Sequence, residues 1–78
     1  MSAVEAASAK DAFTITPSDS TTFKADALYV GTGGAVVVTT SRGNERTFPA
    51  VPSGSILPIS CTQVKAATAA SGIVGLVY

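Results

Sequence analysis

The sequence predicts a small all-β module: an antiparallel sandwich or barrel of about five to seven short strands, preceded by an Ala-rich N-terminal arm. Three observations carry that expectation. Apolar and polar residues alternate at period two, as in Phe13-Thr14-Ile15-Thr16, the signature of a half-buried strand. Clusters of Gly, Pro, Ser and Asn punctuate the chain at roughly ten-residue spacings, as turns between short strands do. Past residue 12 nothing recurs at i, i+3, i+4, i+7, which excludes a helical bundle.

Residues 1–12 are rich in Ala and Ser, with Glu5, Lys10 and Asp11, and read as a short helix or a flexible arm. Almost all the apolar residues here are alanine, so the segment has little area to offset its ordering entropy and is expected to order only on binding. Residues 13–78 form the β domain. Its first strand, Phe13 to Thr16, stops at Pro17-Ser18-Asp19-Ser20, where proline and short polar side chains favour a turn. Ala27 to Val30 is the second strand, closed by Gly31-Thr32-Gly33-Gly34 read as a turn. Ala35 to Thr40 is the third. With Val36, Val37 and Val38 in succession it is apolar on both faces, so it is central or covered by another subunit. Ser41 to Glu45 turns, with Gly43 available for a positive φ. Arg46 to Val51 returns as a fourth strand, which Pro49 confines to an edge or a strand end. After Pro52-Ser53-Gly54-Ser55, residues 56–66 are one long strand or two short ones interrupted by Pro58. Ala67 to Gly72 is a small-residue loop, and Ile73 to Tyr78 is the last strand. Exposed, Val36–Val38 and Ile73–Val77 would aggregate, so both are expected to be covered.

Composition narrows the function. The chain has 78 residues, 46% hydrophobic and only 13% charged, against about 25% charged in ordinary soluble domains. A core this small needs a staple. One cysteine, Cys61, cannot form an intrachain disulfide, and with no histidine it cannot build a zinc site. Oligomerisation or assembly is the staple that remains. Five basic and five acidic residues balance, removing the electrostatic basis for nucleic-acid binding. No apolar run reaches the ~18 residues of a membrane span. The first ten residues lack the pattern of a secretory signal, so the chain is expected to be made and assembled in the cytoplasm.

Nothing in the sequence assembles into a catalytic site, metal site or cofactor site. The commonest general base is missing, and no G-x-S-x-G or S-x-x-K occurs. Asp19 and Asp26 read as a turn residue and a strand start rather than a carboxylate pair. Cys61 reads as a small buried hydrophobe. Gly31-Thr32-Gly33-Gly34 lacks the Lys and Ser/Thr of a phosphate loop. The expectation is no enzyme and no cofactor.

One family resemblance extends from Phe13 to Tyr78. It rests on Phe13-x-Ile15-x-Pro17-Ser18-Asp19, Ala27-Leu28-Tyr29-Val30-Gly31 with Gly33-Gly34, and Thr47-Phe48. Val51-Pro52-x-Gly54-Ser55-x-Leu57-Pro58-Ile59 and Ile73-Val74-Gly75-Leu76-Val77-Tyr78 complete it. This succession resembles the head-spike base and capsid cement proteins of gene transfer agents and related tailed phages of alphaproteobacteria. Lys24, where that family would carry an apolar residue, and a longer arm before Phe13 depart from it. The resemblance implies a virion structural protein on the outer surface of an icosahedral head, assembled in the host cytoplasm. As a cement or decoration protein it would stabilise neighbouring capsomers. The alternatives are a head-spike base anchoring a fibre at the vertices, or a glycan- or receptor-binding β module. Implied partners are a major capsid protein, further copies of the chain as a trimer or pentamer, and a head fibre protein. The arm would then contact the capsid. Candidate contact residues are Phe13, Tyr29, Arg42, Arg46 and Tyr78: aromatics dominate contact energies, and the arginines flank one hairpin that reads as an intersubunit salt-bridge site or, more commonly, a solvated turn.

Overall fold

The computed structural model describes residues 8–78, so the ordering expected of the arm concerns a segment lying mostly outside the described residues. Seven strands follow one another: β1 (Asp11–Ile15), β2 (Ala27–Thr32), β3 (Gly34–Thr40), β4 (Glu45–Val51), β5 (Ser55–Leu57), β6 (Cys61–Val64) and β7 (Ser71–Val77). They form a four-stranded sheet in the order β1-β7-β2-β5 and a three-stranded sheet in the order β4-β3-β6. Every pairing is antiparallel.

The two sheets close on a single aliphatic core. Ile15, Leu28, Val30 and Ile73 come from the four-stranded sheet; Val36, Val38, Val51, Cys61 and Val64 come from the other. Alternation explains the choice. In β2, Leu28 and Val30 are fully buried while Tyr29 between them is exposed, because successive side chains leave opposite faces of a strand. Phe13, Phe23, Phe48 and Leu57 seal the rim of this core. The Phe13 and Phe23 rings meet edge to face, their centroids 5.6 Å apart, a favoured arrangement for aromatic pairs.

β7 shows why a glycine stands where a larger residue would be expected. Gly75 lies opposite Phe13 in β1 and Leu28 in β2. A Cβ on it would come within 2.6 Å of Phe13 Cζ and 3.0 Å of Ile15 Cδ1. The missing side chain makes room for the aromatic ring.

Several details differ from the sequence reading. β1 begins two residues before Phe13 and ends at Ile15, ahead of Thr16-Pro17. Gly31-Thr32-Gly33-Gly34 is not a turn: β2 runs through Thr32, and Gly33 alone separates it from β3. A Cβ on Gly33 would lie 2.4 Å from the Val51 carbonyl oxygen, so this passage between the sheets requires glycine. The 56–66 stretch is two strands in different sheets, with Pro58 between them. β4 is an edge strand, as Pro49 requires, and Gly43 takes φ 84° in the β3–β4 turn. β3 is central, and Val37 on its outer face is buried by the chain itself. The two aspartates tie distant segments together. Asp26 Oδ2 accepts from the Tyr78 N–H at 3.0 Å, and Asp19 Oδ1 from the Ala66 N–H at 3.0 Å.

Two predictions follow from this packing. Gly75→Ala should lower the unfolding free energy by about 1–3 kcal/mol, the usual cost of overpacking a filled site, read from urea denaturation. An unchanged midpoint would mean that Phe13 moves aside freely. The second concerns Cys61, which is fully buried and whose thiol burial pushes up from 9.0 to about 11. The folded chain then holds a proton that the unfolded chain releases, so this stability is intact below about pH 9 and lost as pH rises through about 11. Wild type should therefore lose up to ~3 kcal/mol more than Cys61→Ala across that interval, and parallel pH profiles would refute the linkage.

Candidate docking face

The outer face of the four-stranded sheet can be built from its register. One cross-strand row runs Thr14–Val74–Tyr29–Ile56, and the next runs Ala12–Leu76–Ala27. Residues opposite each other in a ladder share a face, and Leu28, Val30 and Ile73 point into the core, so these seven point away from it, Ala27 being buried at 3% exposure. None is charged. Tyr29 and Ile56 are 38% and 55% exposed, and Tyr78, just past the end of β7, is 43% exposed. Val74 and Leu76 lie half-buried between them. Beside Ile56 a depression of about 410 Å³ is lined by Phe48, Pro49, Val51, Pro52 and Leu57. It continues the apolar surface around the β5 edge.

The outer face of the three-stranded sheet has the opposite character. Its rows pair Val37 with Thr47, and Thr39 with Glu45 and Gln63. Thr39 Oγ1 donates to Gln63 Oε1 at 3.3 Å, and Lys65 Nζ stands 3.9 Å from Glu45 and 3.8 Å from Asp19. These long ion pairs contribute little stability because both carboxylates are well exposed. They do make the face hydrophilic. The sandwich is thus two-sided, with an uncharged apolar sheet on one side and a polar sheet on the other.

The residues singled out from sequence divide among three places. Tyr29 and Tyr78 border the apolar face. Phe13 points inward onto Phe23 and Gly75. Arg42 and Arg46 sit at the β3–β4 hairpin in the other sheet, both exposed; the Arg46 guanidinium donates to the Glu45 carbonyl at 3.0 Å. The structure does not gather the five into one patch. Sequence reasoning missed Ile56, Val74 and Leu76. The signal for the last two was present: β7 is apolar at consecutive positions, so one of its faces had to leave the core. Lys24 is exposed, so a charge there costs no desolvation.

Among the described residues no three His, Cys, Asp or Glu gather to hold a metal ion. A cavity of about 490 Å³ between Phe23, Asp26, Ser41 and Thr62 borders Cys61, but the thiol remains protonated at neutral pH, and the thiolate is the nucleophilic form.

No family model matches the chain, and no curated protein does. One solved structure does match: a chain of the "Capsid of native GTA particle computed with C5 symmetry" superimposes with a TM-score of 0.77 at 34% sequence identity, covering 97% of this chain and 99% of that one.

Proposed function

This chain belongs to the family of that gene-transfer-agent capsid protein, and we propose that it acts as a decoration protein, seated on the capsid shell through the outer face of its four-stranded sheet. The observation that carries this reading is the asymmetry of the two outer faces. The core of a protein–protein interface is depleted in charge and enriched in aromatic residues. The Tyr29–Ile56 surface has that make-up and the Lys65–Glu45 surface does not. Docked in this way, the polar sheet faces solvent. The major capsid protein is the proposed partner, and many copies on one closed shell sum weak individual contacts into firm attachment.

The alternative reading is a ring of copies at a vertex serving as the base of a spike or fibre. Copy number separates the two. Quantitative mass spectrometry of purified particles should give this chain near parity with the major capsid protein if it decorates the lattice. A few tens of copies would replace that reading with the vertex ring, and absence from particles would sink both.

The docking face has its own test. Ile56→Lys places a charge at a position 55% exposed, where substitutions move stability by about 0.5 kcal/mol or less. The variant should keep its melting temperature yet bind empty shells at least about 30-fold more weakly, as loss of buried anchor residues does. Undiminished binding would assign the shell contact to another surface.

A further inference from the structure

The two sheets have four edges, and three of them are closed. β4 carries Pro49, Glu45 and Arg46, residues that discourage further pairing. β5 is three residues long and flanked by Pro52 and Pro58. β6 is covered by the 18–25 segment: Ser18, Phe23 and Ala25 donate to the carbonyls of Val64, Thr62 and Cys61 at 2.8–3.0 Å. Among the described residues no segment covers β1, and the strand carries no proline.

The ladder shows which groups β1 leaves open. The Val77 carbonyl accepts from Lys10 and the Leu76 carbonyl from Asp26, so Val77 turns its hydrogen-bonding groups to β1 and Leu76 to β2. Alternation then pairs Asp11, Phe13 and Ile15 with β7 and aims the backbone groups of Ala12 and Thr14 outward. Asp11 Oδ1 takes the Ala12 N–H at 2.8 Å. Among the described residues the Ala12 carbonyl and both Thr14 groups have no backbone partner, which leaves them for an added strand. Alongside this edge runs a groove of about 520 Å³, lined by Phe13, Ile15, Pro17, Thr21 and Phe23 among others, with no charged residue in its wall. An open edge beside an apolar groove is the geometry of strand addition, in which backbone bonds give affinity and alternate side chains fill pockets.

We propose that the β1 edge receives residues 1–7 of a neighbouring copy as an added strand. Seven residues extend to roughly 23–25 Å, enough to run the length of a five-residue strand. The segment Met1-Ser2-Ala3-Val4-Glu5-Ala6-Ala7 has no proline or glycine, and Glu5 is its one charged side chain. With Val4 turned into the groove, Glu5 faces solvent. For a chain's own arm to reach the same edge, Ser8-Ala9 would have to reverse the chain beside Lys10, which pairs with Val77, and tight hairpins favour Gly, Asn or Asp there. Exchange between copies removes that difficulty. The inference is independent of which surface binds the shell.

The test uses the full chain. A spin label on Val4→Cys, in a Cys61→Ala background, is mixed with ¹⁵N-labelled wild-type protein. Broadening in the labelled copies should centre on Ala12–Thr16 and Phe23. Thr14→Pro removes an outward N–H without costing an intrachain bond; it should leave the melting temperature near wild type and abolish this broadening. It should also raise the concentration for half-association at least about tenfold. A wild type that stays monomeric would overturn the proposal, as would broadening centred on Tyr29 and Ile56 or indifference to Thr14→Pro. Shell binding measured on Val4→Asp, which sets a charge against the groove without touching the outer face of the four-stranded sheet, keeps the two readings apart, since loss of arm exchange with binding intact affects this proposal alone.

Discussion

The structure depends on one strand being apolar in both directions. β7 is hydrogen-bonded on both edges, to β1 and to β2, so it has no freedom to tilt its side chains away from either face. Ile73 goes into the core, Gly75 clears space there for Phe13, and Val74 and Leu76 go outward. A polar residue at 73 would unseat the core, whereas one at 74 would alter only the exterior. Core and outer face are therefore parts of one ladder, and a register slip of a single residue would exchange them.

Size makes that coupling matter. The chain has neither disulfide nor histidine to staple it, and its core is one layer of Val, Ile, Leu and Phe between two sheets. Anything that binds only the folded form adds stability by mass action. For a protein of a capsid family this makes assembly a source of fold stability as well as a destination. Its sparse charge fits the same economy, because much of the surface is suited to cover by neighbours.

The fold was legible in the sequence wherever a single rule acted alone. Period-two alternation marked β1, Pro49 marked an edge, and Gly43 marked a positive φ. The strand ends at Asp11, Thr32 and Ser71 were missed because pairing with a neighbour, rather than local composition, determines how far a strand continues. Pro58 gave a break but not the transfer of the chain to the other sheet, which is a tertiary fact. The docking face was half legible. Tyr29 and Tyr78 stood out as aromatics, while Ile56, Val74 and Leu76 looked like core, since an apolar residue carries no mark of which face will be buried. The roles of Asp19 and Asp26 as ties to residues 66 and 78 had no sequence signal, because both join segments about fifty residues apart.

Cys61 illustrates how packing decides chemical fate. The side chain most open to oxidation in this sequence stands in the middle of the core with no exposed surface, protonated until strongly alkaline pH. Mixed disulfides need a thiolate in reach of a second sulfur, and the fold denies both. Even in an oxidising medium, neighbouring copies of the folded chain therefore have no route to a disulfide through Cys61.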